Sequence, residues 1–140
     1  MRRGFTLPEV LTVIAIASIL LSLVVPPLGR ALDEAAVREG VERFAALHET
    51  TRQLAIANGT LARLQVDAPA RSAALSVETD HGWDTVAVHP LGSATIACSN
   101  PTIVFGPLGV GYGTSNTRVI FSRGRYADTL TTSRTGRLRR

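Results

Sequence analysis

The sequence contains no lysine, so all 15 of its basic residues are arginine. It contains one cysteine, Cys98, which excludes an internal disulfide framework and any zinc site built from several cysteines. Aromatic residues make up only 5% of the 140 residues, which argues against a surface that stacks the bases of single-stranded nucleic acids. Hydrophobic residues reach 45% and charged residues 19%, a composition typical of one folded or membrane-attached domain and not of a disordered chain.

The net charge of +4 is distributed unevenly along the chain. Arg2 and Arg3 stand at the N-terminus, and residues 5–117 contain more acidic than basic side chains. Residues 118–140 contain seven arginines against one acidic residue, Asp128. Basic charge that is concentrated at one end of a chain indicates an anionic partner for that end.

An uncharged apolar run, VLTVIAIASILLSLVV, occupies residues 10–25. With Phe5, Leu7 and Leu28 on its flanks, it reaches the roughly 20 apolar residues that a membrane-spanning helix needs. Arginines precede it, and the positive-inside rule therefore places the N-terminus in the cytoplasm. The run predicts a single membrane-spanning helix.

Three interpretations of this run compete. A removable secretory signal needs small residues at a cleavage site after the run; Ala35-Ala36 supplies them, but Pro26, Pro27 and the nearby charges make that site poor. A second interpretation is an uncleaved signal anchor. The third is cleavage before the run, which the segment Gly4–Glu9 favours.

Glu9 stands immediately before the apolar run. An ionised carboxylate near the bilayer centre costs roughly 2.5–3.5 kcal/mol. One explanation places Glu9 in the first helical turn, where the helix dipole favours an acid. That position alone does not explain the ordered string Arg-Arg-Gly-Phe-Thr-Leu-x-Glu over residues 2–9.

This string, followed by an apolar helix, resembles the leader shared by type IV pilins and type II secretion pseudopilins. The resemblance implies cleavage after Gly4 by a prepilin peptidase and methylation of the new N-terminus at Phe5. It also implies that Glu9 pairs with the free amine of a neighbouring subunit, which makes the carboxylate tolerable in a helix bundle. Pro8 departs from the more usual aliphatic residue, but a proline in the first helical turn costs little.

The hypothesis divides the chain into four parts. These are a leader (residues 1–4), a transmembrane and assembly helix (5–27), an amphipathic continuation of that helix (28–58) and a periplasmic β domain (60–140). We expect Pro26-Pro27 and Gly29 to kink or locally unwind the helix, and we place its end at Asn58-Gly59.

The second part of the helix has one apolar stripe and one charged face. The stripe recurs at three- and four-residue spacing, which predicts that it packs on the following domain. Its members are Val37, Val41, Phe44, His48, Thr51 and Ala55. A single histidine on such a stripe indicates a packed core residue more often than a ligand.

From Thr60 onward the hydrophobic period shifts toward two, which is typical of β-strands. The predicted strands are residues 61–66, 74–79, 83–89, 95–98, 102–105, 117–122 and 126–132. Short strands of this kind predict a sheet or small sandwich packed against the helix, so the fold class is α+β with a long N-terminal helix on an antiparallel β domain. The layout resembles pseudopilin H and FimT-like minor pilins, most distinctively in the string Ser-Arg-Thr-Gly-Arg-Leu-Arg at residues 133–139.

Signals for catalysis are weak. The glycine-rich segment 106–113 matches neither phosphate-loop pattern and no helix follows it, so it predicts a loop between strands. His81 and Asp84 could act as an acid–base pair, but no motif positions a nucleophile, and polar turn and strand-end residues explain both. Cys98 is expected to be partly buried. We predict no enzymatic activity, no metal and no cofactor; a membrane-anchored enzyme is the weakest alternative.

Arg134, Arg137, Arg139 and Arg140 lie within seven residues. In a hairpin, Arg137 and Arg139 would point to the same face, and guanidinium groups bind phosphate oxygens bidentately. In FimT-like minor pilins of competent bacteria a Gly-Arg-x-Arg tail is implicated in DNA binding, and residues 136–139 match that pattern. Secretion pseudopilins end similarly. A solvated strand end, or pairing with acidic groups of a neighbouring subunit, explains the cluster equally simply.

Two functions follow from the resemblance. The first is a minor pseudopilin of a type II secretion system, anchored in the inner membrane with its C-terminal domain in the periplasm. The alternative is a FimT-like type IV minor pilin that binds DNA through the C-terminal arginines. The implied partners are a prepilin peptidase, other pilin or pseudopilin subunits, the inner membrane and, under the alternative, DNA.

Overall fold

One long helix and eight strands make up the described chain. The computed structural model describes residues 6–113 and 115–140, without the side chains of residues 23–26. In chain order the elements are α1 (Leu7–Asn58), β1 (Ala62–Asp67), β2 (Ser72–Thr79), β3 (Gly82–Pro90), β4 (Thr95–Cys98), β5 (Thr102–Phe105), β6 (Thr117–Arg123), β7 (Tyr126–Thr132) and β8 (Leu138–Arg139). The predicted α+β class is confirmed. The chain divides into two compact units, one up to Leu32 and one spanning Asp33–Arg140.

The N-terminal unit is helical from Leu7 onward. The backbone is helical at Pro26, Pro27 and Gly29 as well, so the expected local unwinding at these residues is wrong. A proline removes one amide donor and disturbs one turn, while the hydrogen bonds of the turns on either side remain available to hold the helix.

In the second unit, α1 buries the predicted stripe. All six predicted residues are buried, from Val37 near the start of the unit to Ala55 near the end of the helix. The charged face carries exposed i,i+4 ion pairs such as Glu34–Arg38, which contribute little to stability. The helix ends as predicted at Asn58, because Gly59 adopts a left-handed conformation with φ of 63°.

The strands form two antiparallel four-stranded sheets. The first has the order β3-β2-β1-β5 and the second the order β4-β6-β7-β8. All seven predicted strands are present with ends shifted by two residues at most, whereas β8 was not predicted as a strand. Its two residues pair with Thr131 and Thr132 at the edge of the second sheet.

The core lies between α1 and both sheets. The ring of Phe44 lies 6.1 Å from that of Phe121 on β6 in the second sheet. The ring of His48, one turn further along the helix, lies 5.0 Å from Phe105 on β5 in the first sheet. Because this stripe touches both sheets, it fixes their inner faces, and the opposite faces are left to solvent or to partners.

Candidate functional site

The apolar side chains of the N-terminal unit have no cover within the chain. Leu11, Ile14 and Leu20 are each more than half exposed. The helix is long and apolar enough to cross a membrane, and none of its most apolar window is buried. A continuous apolar surface of this size needs lipid or other helices against it.

The hydroxyl groups within this apolar stretch donate hydrogen bonds to carbonyl groups of their own helix. The Thr12 hydroxyl donates to the Pro8 carbonyl at 2.8 Å, and the Ser18 hydroxyl donates to the Ile14 carbonyl at 2.8 Å. Hydroxyls bonded back to their own helix do not present an unsatisfied donor to lipid. The hydroxyl groups of this apolar stretch are therefore compatible with an apolar environment.

The first turn of α1 forms a local cap around Glu9. The backbone N–H of Thr6 donates to the Glu9 carboxylate at 3.5 Å, and Thr6 stands three residues before Glu9, as in a capping box. Within the chain, the carboxylate therefore faces the N-terminal end of the helix. The spacing Thr-x-x-Glu is the sequence signal for this cap.

The predicted processing residues Gly4 and Phe5 lie outside the described residues, as do Arg2 and Arg3. Cleavage after Gly4 and methylation at Phe5 therefore stay predictions from the sequence. The structure places Glu9 three residues beyond the first described residue, within the first helical turn.

Three arginines of the C-terminal tail are exposed and without partners. Among residues 6–113 and 115–140, no side chain forms a hydrogen bond or ion pair with the guanidinium groups of Arg134, Arg137 or Arg139. Arg139 follows the partly buried Leu138 on β8, so strand alternation places it on the outer face of the second sheet, and Arg137 is exposed immediately before the strand.

Arg140 does not join that surface. Its Nη2 lies 2.6 Å from the Asp128 carboxylate, and its Nε donates to the same oxygen at 2.7 Å. Asp128 is the cross-strand partner of the buried Phe121, so this ion pair lies toward the inner face of the sheet. The fourth arginine of the cluster is therefore already neutralised by the chain itself.

A tight glycine contact holds the tail in place. Gly136 has φ of 79°, and a Cβ built there would lie 2.6 Å from Cε1 of Phe105 and 3.1 Å from the Gly111 nitrogen. A Cβ at Gly111 would in turn lie 2.5 Å from the Arg134 carbonyl oxygen. The glycine-rich loop between β5 and β6 thus packs backbone to backbone against the turn before Arg137.

Burial changes the chemistry of His48. Its side chain is buried against Phe44 and Phe105, and its Nε2 has no hydrogen-bond partner in the described chain. Burial lowers the pKa of His48 from 6.5 to about 4, a shift that Glu49 opposes and Arg52 supports. The imidazole is therefore neutral at pH 7, and the interpretation of His48 as a packed core residue is confirmed.

Acidification is expected to destabilise the protein through His48. The unfolded chain binds a proton near pH 6.5 and the folded chain only near pH 4, so the free energy of unfolding falls as pH drops between these values. The loss approaches about 3 kcal/mol at the lower end. Urea unfolding of the detergent-solubilised chain, followed by fluorescence of Trp83, measures it.

Replacing His48 with methionine should remove most of this pH dependence, whereas replacing the exposed His81 with alanine should leave it unchanged. A free energy of unfolding that stays constant between pH 7 and pH 4.5 in the unmodified chain would contradict the argument.

The other candidate residues are not assembled into a site. His81 lies exposed in the turn between β2 and β3, and no hydrogen bond or ion pair joins it to the exposed Asp84. Cys98 is partly buried as expected, and burial raises the pKa of its thiol. In the part of the chain that the structure describes, no three His, Cys, Asp or Glu side chains are placed to hold a metal ion.

Comparison with known proteins gives a match to the N-terminal segment and matches to the fold. A family model described as the prokaryotic N-terminal methylation motif matches residues 1–25. No curated protein matches the sequence significantly. Several solved structures match the fold, and three of them are described below.

Two of the similar structures are of the minor pseudopilin EpsH from the type 2 secretion system of Vibrio cholerae. One has a TM-score of 0.62 at 14% identity over 74% of this chain and 94% of that one. The other has a TM-score of 0.61 at 15% identity over 77% and 94%. The type IV minor pilin FimU of Pseudomonas aeruginosa has a TM-score of 0.62 at 13% identity over 76% of this chain and 88% of that one.

The chain has a pilin-like fold. It also carries the prepilin methylation motif at its N-terminus, and its apolar helix and motif together indicate a membrane-anchored pilin-like protein. The similar structures are described as a minor pseudopilin and a type IV minor pilin, and none is described as an enzyme.

Arg118 is a candidate binding residue that the sequence pattern does not reveal. Arg118 on β6 is exposed and lies in register with Thr131, which is itself in register with Arg139. Arg118 and Arg139 are 21 positions apart in the sequence, so no local pattern joins them. Only the alternation within β6, with buried Thr117 and Val119 on either side, could have marked Arg118 as outward-facing.

Proposed function

We propose that this protein is a minor pseudopilin of a type II secretion system. A prepilin peptidase cleaves it after Gly4, the new N-terminus at Phe5 is methylated, and the protein is inserted through α1 into a periplasmic filament that supports protein export. Its role is structural and needs no cofactor.

One observation carries the proposal. The methylation motif over residues 1–25 leads directly into a helix whose apolar side chains the chain leaves uncovered, and a pilin-like domain follows. A filament subunit needs this combination, because the same apolar helix must lie first in lipid and later among other helices. The similar structures include a minor pseudopilin and a type IV minor pilin with the same TM-score of 0.62, so they support a pilin-like subunit, and secretion as its purpose is part of the proposal.

The proposal assigns partners and topology to the N-terminal unit. Before processing, the leader lies in the cytoplasm, the helix crosses the inner membrane once, and the β domain lies in the periplasm. After processing, the carboxylate of Glu9 meets the terminal amine of a neighbouring subunit. That pairing replaces the local contact with the Thr6 N–H and neutralises a charge that lipid would penalise.

Intact-mass and N-terminal analysis of protein extracted from membranes tests the proposal. With an active prepilin peptidase we expect a mature chain that begins at a methylated Phe5, and without the peptidase a chain that begins at Met1. A chain that begins near Ala36 in both samples, or stays uncleaved in both, would contradict it. Deletion of the gene for this protein distinguishes a pseudopilin from a pilus subunit. For a pseudopilin we expect protein secretion to be lost and DNA uptake to be unchanged.

A second candidate function rests on the partnerless arginines. Arg134, Arg137 and Arg139 are exposed without carboxylate partners among the described residues, as a surface for phosphate groups requires. This favours a FimT-like minor pilin that binds DNA. Such binding weakens steeply with salt and is lost when Arg137 and Arg139 are both replaced by alanine.

A further inference from the structure

The outer face of the second sheet carries a row of three side chains that no stretch of sequence reveals. Arg118 on β6 pairs in register with Thr131 on β7, and Thr131 pairs with Arg139 on β8. Side chains in register on adjacent strands point to the same face, and adjacent strands lie about 4.8 Å apart. The two arginines therefore stand about 10 Å apart at their Cα atoms, with a threonine hydroxyl between them.

A cleft of about 300 Å³ adjoins this row. Its lining residues carry hydroxyl, amide or guanidinium groups and include no acid: Ser99, Asn116, Thr117, Arg118, Thr131 and Thr132. Its walls are fixed by hydrogen bonds, since the Arg118 backbone N–H donates to Ser99 Oγ at 2.9 Å and the Thr117 hydroxyl donates to the Asn100 carbonyl at 2.7 Å. These bonds use the Thr117 hydroxyl and the Arg118 N–H within the wall, and the Arg118 guanidinium and the Thr131 hydroxyl remain to donate to an anion.

The guanidinium of Arg118 is free to serve a ligand. Across the two described stretches of the chain, no carboxylate or carbonyl accepts from it. Arg123, at the other end of the same strand, is held by Asp33 at 3.0 Å and by Ser93 at 2.6 Å. Arg118 and Arg139 therefore have no carboxylate partner in the described chain, whereas Arg123 is paired with Asp33 and Arg140 with Asp128.

We propose that Arg118 and its cleft form a phosphate subsite that extends the Arg137–Arg139 surface across the sheet. The ligand is the sugar–phosphate backbone of DNA, which crosses from β8 to β6 along the row Arg139–Thr131–Arg118. Long arginine side chains on Cα atoms about 10 Å apart can place their guanidinium groups on neighbouring phosphates of one strand. This inference rests on the DNA-binding candidate and adds a site to it.

The test is a salt titration of DNA binding by the full-length chain in detergent. Fluorescence anisotropy of a labelled duplex gives the affinity at several salt concentrations. The variants are Arg118→Ala, Arg125→Ala and the double change Arg137→Ala with Arg139→Ala. Arg125 is the matched control, because it is exposed on the same sheet but lies in the β6–β7 turn, at the far end of both strands from Arg118.

We expect Arg118→Ala to weaken binding by about three- to tenfold and to lower the slope of log affinity against log salt by about 0.9, the loss of one phosphate contact. Arg118→Lys keeps the positive charge but cannot bind a phosphate bidentately, so its affinity for DNA should lie between those of the unmodified chain and Arg118→Ala. Arg125→Ala should bind like the unmodified chain.

Two results would overturn the subsite, and they are distinguishable. If the tail variant loses binding while Arg118→Ala and Arg125→Ala behave alike, DNA binding stands and the Arg118 subsite is wrong. If the unmodified chain does not bind the duplex at low salt, the DNA-binding candidate fails and the subsite fails with it. Fluorescence of Trp83 under unfolding conditions verifies that each variant is folded.

Discussion

Replacing Glu9 with glutamine is expected to leave cleavage after Gly4 intact and to reduce incorporation into filaments by about a hundredfold. In the proposed assembly the carboxylate neutralises the terminal amine of a neighbour at bilayer depth. Without it, a charge is left unpaired at a cost of roughly 2.5–3.5 kcal/mol. Since about 1.4 kcal/mol corresponds to a factor of ten in an equilibrium constant, that cost is roughly a factor of a hundred.

Glutamine is the informative replacement at this position. Its side-chain oxygen can still accept from the Thr6 N–H, which lies 3.5 Å from the Glu9 carboxylate, so the helix cap is retained and only the charge is removed. Glu42→Gln is the matched control, because Glu42 is exposed on the same helix in the globular unit.

The measurement is the share of processed protein that co-purifies with the other filament subunits from detergent extracts when they are co-expressed. Equal incorporation of Glu9→Gln and Glu42→Gln would contradict the proposed pairing of Glu9 with the terminal amine of a neighbouring subunit. It would leave Glu9 with its local role at the helix N-terminus.

Replacing Gly136 with alanine should lower the free energy of unfolding of the globular unit by about 3 kcal/mol. Two costs combine. The φ of 79° is strained for any residue with a Cβ, and the added Cβ would meet both the ring of Phe105 and the backbone of Gly111. Phe105 is fully buried, so its ring has no room to move away.

Gly113→Ala separates these two costs. Gly113 has a similar φ of 67°, but a Cβ there would meet nothing within 4 Å. We therefore expect alanine at this position to cost about 1 kcal/mol, from backbone strain alone. Urea unfolding monitored by Trp83 fluorescence compares the two. Similar losses for both variants would show that the close contact around Gly136 contributes nothing.

The Gly136 contact also gives a structural reason for the glycine in the Gly-Arg-x-Arg tail. Ser133 and Arg137 close the turn, with the Ser133 N–H donating to the Arg137 carbonyl at 2.9 Å. A side chain at Gly136 would displace this turn from the loop between β5 and β6. Arg137 and Arg139 would be displaced with the turn. The glycine therefore positions the arginines, whichever anion they meet.

The sequence by itself determined the local elements. The long helix, its buried stripe and seven of the strands follow from hydrophobic periods of 3.6 and 2, which depend only on neighbours along the chain. The leader motif likewise lies within a few consecutive residues, and the matching family model covers the same segment. Even the cap at Thr6 and Glu9 could have been predicted from its spacing.

Only the tertiary structure decided which arginines act together. Four arginines of the tail are neighbours in sequence, but the fold pairs Arg140 with Asp128 and aligns Arg118 with Arg139 across β7 on one face of the sheet. The physical reason is strand register: it is fixed by the burial of one sheet face and by pairing between distant segments, and a shift of one residue would turn every side chain to the other face. No local pattern carries that information, so the arginine surface emerges only when β6, β7 and β8 are aligned.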